Sequence, residues 1–407
     1  MSKDTAITQH CRLINALAGG WVADAAALGL HWVYDSQRIL DVGGQTPEFL
    51  PPKAEYFRGG VGYFAHKGKA SGDVSHYGAA TGVLTKSLLG NRGQLNVTDY
   101  QRRFRHYFGP GGEWQGFIDN PTRVTLENLT AIEKEAIQQA IDAVADRLTD
   151  EQQRIIVQKV LPYTRYLSGD ELDAPIRRAI NATYPEKEVQ DAGVHLARTI
   201  DQHLSAETGA VDMQITAISK LPPLVASFYG SDQLMAVTEA AVRVTNNHDE
   251  AVAWARCAAR LLEQLFQGHP IQDALQAAIP EAPDPHSLKT ACDSKSLDGP
   301  GAGDQLGRTC YLNEAMPVSF HILSQADSFT EAVRANIQCG GDSCGRAWLI
   351  GPAMAALHSA GTERGCPLSW LARLTNASGI LEDIETLVGK DWEAAEARDE
   401  VGGGPVR

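Results

Sequence analysis

The 407-residue chain carries a formal charge of −14 and a pI near 5.3, a balance that repels nucleic acid unless a local basic patch exists. Its 43% apolar and 21% charged residues suit a soluble globular protein able to bury a core without staples. Seven scattered cysteines do not read as a disulfide framework and fit a reducing cytoplasm.

The first apolar helix starts near Ile7 and runs to about Leu30. No secretory leader or membrane span is read here: Met1 to His10 is polar, and Trp21 to Leu30 is broken by Asp24 and too short for a bilayer. An aspartate on such a face is costly to bury unless paired. His31, Trp32 and Asp35 come where the helix should end. They form either a pocket wall of carboxylate, imidazole and stacking aromatic, or a helix terminus where His31 caps carbonyls and Trp32 fills the core. Asp41 to Gly72, rich in glycine, proline and aromatics, reads as irregular and of the length that often carries function. Gly72 to Gly78 (GDVSHYG) precedes a buried helix marked by Val83, Leu84, Ser87 and Leu88. A helix N-terminus favours anions, and His76 is suited to acid or base work near neutrality. Alternatively Asp73 or Ser75 merely caps the helix. Arg102, Arg103, Arg105 and His106 read as a solvated helix face.

Helical periodicity dominates the rest of the chain. Ile132, Ala136, Ile137, Ile141, Val144 and Leu148 share one face, as do Val189, Leu196, Ile200 and His203, and Val252, Ala255, Ala259, Leu262 and Phe266, the last ended by Gly268. Thr149/Gln152, Ser168/Glu171 and Ser328/Glu331 have capping-box spacing. Val244 to Asp249 precedes a helix beginning near Glu250, with Asn247 or Asp249 as its cap and His248 beside them. Pro280 to Gly303 reads as irregular. Phe329 to Ile337 is helical, Gly340 and Gly341 can stop that helix, and Asp342 or Ser343 can cap the next. Asp342, exposed at that start, makes a phosphate or metal corner, and Gly351, Ala353, Ala355, Ala356 and Ala360 imply close helix packing. Cys339 and Cys344 are too few and too oddly spaced for a zinc site. Cys344 at a helix start has the position of a low-pKa thiolate. Strand-type alternation is scarce, so the expected class is all-α: a single compact domain over residues 1–390, with a flexible tail over 391–407.

The order of these signals resembles the ADP-ribosylglycohydrolase family. The resemblance is carried by Asp24 on its early helix, Ser75-His76-Tyr77-Gly78, Lys220-Leu221-Pro222-Pro223-Leu224, Gly268 to Leu275, Asp327 to Ala332, Gly340-Gly341-Asp342-Ser343, and Pro367, Trp370 and Leu374. It spans about Ile14 to Leu374. The wording of His31-Trp32-Val33-Tyr34-Asp35 and Ser75 to Gly78 is similar to the branch that includes the J-type lens crystallins and selenoprotein J.

The resemblance implies a compact helical domain with a central cleft, hydrolysis of ADP-ribose from side chains or small acceptors, and a pair of magnesium ions. Family enzymes carry Thr-Asp-Asp-Thr where this chain has Ser75 to Gly78, and Gly-Gly-Asp-Thr-Asp-Thr where it has Gly340 to Gly345. His76, Tyr77, Cys344 and Gly345 thus replace oxygen ligands, and the expectation is at most one weakly bound Mg2+, held by Ser75 and Asp342 with Asp24 behind them. A transition metal would instead take His76 and Cys344. The implied substrate is a small ribosyl or ADP-ribosyl compound, with neither nucleic acid nor membrane as partner. Asp24, Asp35, His76 and Asp342 are the expected catalytic groups. His31, Trp32, Tyr77, Ser343, Cys344, Arg346 and His248 are expected to contact substrate. Two other readings stay open: a non-catalytic, crystallin-like descendant that kept the fold, and a helical-cleft enzyme of different chemistry built on His76 and Cys344.

Overall fold

The computed structural model describes residues 7–142, 149–151, 154 and 208–392. Among them the chain is all-α, with three isolated β-bridges and no ladder. The helices are α1 (Gln9–Ala27), α2 (Ser36–Gly43), α3 (His76–Gly90), α4 (Val97–Phe108), α5 (Asn120–Asp142), α6 (Thr216–Ser219), α7 (Leu221–Phe228), α8 (Leu234–Arg243), α9 (Asp249–Gln267), α10 (Ile271–Ala278), α11 (Pro285–Asp293), α12 (Gly299–Leu306), α13 (Leu312–Gln325), α14 (Phe329–Cys339), α15 (Ser343–Leu357), α16 (Leu368–Leu371) and α17 (Ala377–Gly389). The Gln152, Ser168/Glu171 and Val189 to His203 signals lie outside the described residues, as do Val144 and Leu148 of the face that begins at Ile132 and the tail beyond Trp392.

The centre is the pair α1 and α15, which pack along most of their length. Small residues make this possible. A Cβ at Gly351 would stand 2.5 Å from the Gly19 carbonyl oxygen and 2.7 Å from Ala23 Cβ, and one at Gly20 would stand 2.8 Å from the Trp348 ring. Every residue of α15 from Ser343 to Ala356 is buried. Helices α3, α7, α9, α13, α14 and α17 pack around this pair. With its 3-10 extension, α1 runs from Gln9 to Leu30, long and apolar enough to cross a membrane by length and composition, and so longer than the Trp21 to Leu30 stretch read from sequence. Its apolar window is 83% buried against other helices.

The local signals mostly form as the sequence suggests. Ser328 caps α14 by accepting from Glu331 N (3.2 Å). Gly268 ends α9 in the left-handed region at φ 94°. Val252, Ala255, Ala259, Leu262 and Phe266 are all buried. The stretch from Pro280 to Gly303, expected to be irregular, is largely α11 and α12. Asp284 and Asp298 cap them, each with proline in the first turn, where its missing N–H costs nothing. In α4, Arg102 and Arg103 pair with Asp99 on the outer face, whereas Arg105 is buried. The cap of α9 is His248 rather than Asn247 or Asp249: its Nδ1 accepts from Glu250 N at 3.2 Å.

Candidate functional site

The site lies where the end of α1 and the starts of α3 and α15 meet. After α1 a 3-10 turn over Leu28–Leu30 leads to Trp32, held at φ 65°, a conformation that costs a non-glycine residue of the order of 1–3 kcal/mol. Backbone bonds hold it there: Trp32 N donates to Gly341 O (2.8 Å), Gly341 N to Val33 O (2.7 Å), and Tyr63 N to Trp32 O (3.1 Å). The glycine pair is needed at this crossing. Gly340 and Gly341 have φ of 75° and 63°, and a Cβ on Gly341 would collide with the Arg308 carbonyl. The same contacts bring His31 and Asp342, 311 residues apart, into one hydrogen bond.

Asp342 caps α15 and is buried, not exposed as expected. Its Oδ1 accepts from His31 Nε2 (2.9 Å) and Gly345 N (3.0 Å), and its Oδ2 from Tyr77 OH (2.6 Å). Burial opposes ionisation, but these donors outweigh it and hold the carboxyl below its usual range. Tyr77 is pushed well above the usual phenol range by burial and then by Asp342, so it stays a donor. On its other ring nitrogen, Nδ1, His31 faces His66 Nε2 at 2.6 Å. Burial depresses both imidazoles, and His66 falls well below its ordinary value.

Beneath this layer Ser75 caps α3 and fixes Asp24. Ser75 N and Oγ donate to Asp24 Oδ2 (2.9 Å) and Oδ1 (2.6 Å). Burial dominates here and raises Asp24 to about 6, against the opposing Ser75 bonds. A Cβ at Gly78 would stand 2.6 Å from Asp24 Oδ2, so glycine there lets α3 approach.

A second polar cluster adjoins the first. His76 Nε2 lies 3.7 Å from Asp119 Oδ2 and neither ring nitrogen makes a hydrogen bond. Its ring packs on Tyr77 (3.9 Å between centroids) and against Phe117 (5.3 Å) and Trp32 (5.9 Å). Asp119 accepts from Thr122 N (3.0 Å) and from the Thr216 hydroxyl. Burial would raise it, but His76 and these donors bring it down to about 2. Nearby, Lys220 is wholly buried, bonded to the Thr245 hydroxyl, and lowered to about 7 by burial against the pull of Asp119.

Two carboxylates of opposite protonation tendency, a buried imidazole and a stacking wall, drawn from helix starts far apart in sequence, define the corner. A model of the family described as ADP-ribosylglycohydrolase matches residues 5–400. The chain belongs to the ADP-ribosylglycohydrolase family. Among its relatives, Crystallin J1A of Tripedalia cystophora is 26% identical over 91% of this chain and 94% of its own. Crystallin J1B of the same organism is 24% identical over 92% and 95%. A solved "ADP-ribosylglycohydrolase-related protein complex" shares the fold at TM-score 0.53 and 17% identity, covering 94% of this chain and 98% of that one.

The pair of magnesium ions implied by the resemblance does not fit this donor set. All four oxygens of Asp24 and Asp342 already accept protein hydrogen bonds, and Ser75 spends its hydroxyl proton on Asp24. The positions around them offer imidazole, phenol and thiol, not the hard oxygens magnesium needs. The single ion expected on Ser75 and Asp342 meets the same obstacle. The grouped soft donors are His31, His66 and Cys344, within 4.8 Å of one another, rather than the expected His76 with Cys344.

Of the residues singled out from sequence, Asp24, His31, Trp32, Ser75, His76, Tyr77, Asp342 and Cys344 converge here. Asp35 is set apart. It caps α2 through Arg38 N (2.8 Å) and lines an open cleft of about 640 Å³ with Tyr34, Gly60, Gly62 and Arg308. His248 is spent as the cap of α9. Arg346 is buried and gives Nε to Asn336 Oδ1 (2.9 Å) and Nη2 to Gly340 O (2.6 Å), which makes it a brace for the glycine turn rather than a surface anion clamp. Ser343 is buried, and its carbonyl takes Asn336 Nδ2 (2.7 Å). Cys344 is not a low-pKa thiolate. Burial, then Asp24 and Asp342, push the thiol well up, and it donates to Asp24 O (3.5 Å). Its helix start is surrounded by carboxylates, which cancels the dipole's help. Four residues were not singled out from sequence as site residues. His66 sits in the irregular stretch whose length is of the kind that often carries function. Asp119, at Asp119-Asn120-Pro121-Thr122, is legible as a cap. Lys220 opens the Pro-containing helix start. Nothing local marks Thr216.

Proposed function

We propose that this protein hydrolyses a glycosidic bond of an ADP-ribosyl or other ribosyl compound, with Asp24, His76 and Asp342 rather than a magnesium pair carrying the chemistry. The observation that supports this most is His76, a buried imidazole with both nitrogens unbonded, set beside ionised Asp119 and under Trp32 and Phe117. A buried polar group without a partner is costly unless a ligand completes it. Cleavage at an anomeric carbon builds positive charge on the sugar ring. Asp342, kept ionised by three donors, supplies opposing negative charge. His76 is the proton donor to the leaving group, and Asp119, 3.7 Å from its Nε2, stands beside it. Asp24, with its carboxyl raised to about 6, is a second reservoir for that proton. Trp32 offers the stacking face, and Asp35 at the open cleft suits a sugar hydroxyl.

A panel of ADP-ribosylated peptides, ADP-ribose conjugates and nucleosides, assayed for free ADP-ribose or ribose, tests this. Wild-type protein should release product from at least one class, and His76→Gln should lose on the order of 100-fold or more in kcat while keeping the fold. Full activity in His76→Gln would reject the assignment.

A second reading has its own support. Every oxygen of Asp24 and Asp342 is already satisfied by the protein, and two similar proteins are named as crystallins. In that case the same corner binds a ribosyl ligand without turning it over, and calorimetry would show binding where the product assay shows none.

A further inference from the structure

We propose that His31, His66 and Cys344 form a binding site for one divalent ion of the zinc class. The inference does not depend on the hydrolase reading. It starts from the donors: one ring nitrogen each of His31 and His66 and the Cys344 thiol lie within 4.8 Å of one another, His31 Nδ1 faces His66 Nε2 at 2.6 Å, and all three residues are buried. Two imidazoles and a thiol are the ligands of zinc and related ions, not of magnesium.

The surroundings are arranged as such sites require. A ligating histidine is oriented by a bond from its other ring nitrogen to a carboxylate, and His31 Nε2 is bonded in this way to Asp342 Oδ1 (2.9 Å). That bond directs the Nε2 proton at Asp342 and leaves the Nδ1 lone pair pointing at His66. Tyr77 OH and Gly345 N then fix Asp342, so the ring is held from two sides. Cys344 is fixed by α15, and Gly340 and Gly341 fix the approach of that helix to the end of α1. Two carboxylates, Asp24 and Asp342, stand beside the thiol. They make the spot favourable for a cation.

Without metal, the 2.6 Å contact between His31 Nδ1 and His66 Nε2 requires one proton between the two nitrogens, so His66 donates from Nε2. Binding moves that proton to Nδ1 of His66, a change of tautomer with no net loss. The thiol proton, held toward the Asp24 carbonyl in the metal-free state, is released to solvent. One ion therefore displaces one proton and binds two neutral imidazoles and one thiolate, with a net charge of +1 offset by the neighbouring carboxylates. Zinc bond lengths in a tetrahedron set ligand gaps of about 3.4 Å between nitrogens and about 3.6 Å between nitrogen and sulfur. The imidazoles must part from their 2.6 Å contact. His66 sits in the loop between the Gly62 bridge and α3, where a small shift disturbs no helix.

Cobalt(II) titration of the full-length, metal-stripped protein tests this without reference to activity. The expected result is one equivalent bound, a near-ultraviolet thiolate-to-cobalt charge-transfer band with tetrahedral visible bands, and displacement of both by one equivalent of zinc. Cys344→Ser should abolish the charge-transfer band, and Cys11→Ser, at an exposed thiol, should keep it. His66→Gln, in the loop, should weaken cobalt binding at least tenfold and alter the visible bands. It serves as the deciding variant if Cys344→Ser does not fold. Absence of any charge-transfer band in the wild type, its survival in folded Cys344→Ser, or unchanged affinity in His66→Gln would each overturn the site.

Discussion

A carboxylate sealed from water is governed by the donors it finds, and Asp24, Asp119 and Asp342 find different ones. Asp24 takes its carboxylate hydrogen bonds chiefly from Ser75, and burial wins, so its carboxyl rises to about 6. The folded protein then holds a proton that the unfolded chain releases near the ordinary value of 3.8. Stability should therefore fall as pH rises from about 4 to about 6, by about 3 kcal/mol from this residue. Asp24→Asn should lose that slope in chemical denaturation at stepped pH, and an unchanged slope would count against the burial argument. Lys220 gives the opposite sign. Its ammonium, lowered to about 7, binds fewer protons folded than unfolded between about 7 and 10.5. Wild-type stability should thus rise across that window by something on the order of 5 kcal/mol relative to Lys220→Met, read by the same denaturation series. Tyr77→Phe should cost about 1–3 kcal/mol because it strips Asp342 Oδ2 of its donor. Residue chemistry is partly legible in the chain: Asp24 on an apolar face announces a partner, and His31, His76 and Asp342 each sit at a helix end. What the chain does not reveal is who meets whom. His31 to His66 and Tyr77 to Asp342 are long-range pairings, and a helix-start cysteine looks reactive until the carboxylates around it are placed.

At the scale of helices, the site is a product of how closely α1 and α15 pack. Gly351 faces the Gly19 carbonyl and Ala23 with no room for a Cβ. Gly351→Ala should lower stability by about 1–3 kcal/mol through overpacking, seen as an earlier denaturation midpoint, whereas a change at exposed Gly389, where a Cβ would meet nothing within 4 Å, should leave packing alone. The small-residue run after Asp342 makes this contact legible, as do the Ser328 cap and the Gly268 stop. The stretch from Pro280 to Gly303 looks irregular because proline and glycine break helix interiors, but Asp284 and Asp298 placed before them turn proline into a first-turn residue of α11 and α12. The glycine pair at 340–341 works in both senses. It ends α14, and its left-handed backbone lets Trp32 and Arg308 pass close by.

For the whole molecule, family membership fixes the helical frame. The family is readable from the motif order over most of the length. The corner where protein donors occupy the carboxylate oxygens needs the fold. Magnesium titrated into metal-stripped protein should accordingly give no pair of tight sites by calorimetry, and two such sites lost in Asp342→Ala would show the donor argument to be mistaken. The central claim, ribosyl-bond hydrolysis without a magnesium pair, is tested most directly by product release from the ribosyl panel in magnesium-free buffer. The account predicts release of ADP-ribose or ribose by the wild type at a rate unchanged by added magnesium. No release from any substrate, or release that appears only when magnesium is added, would contradict it.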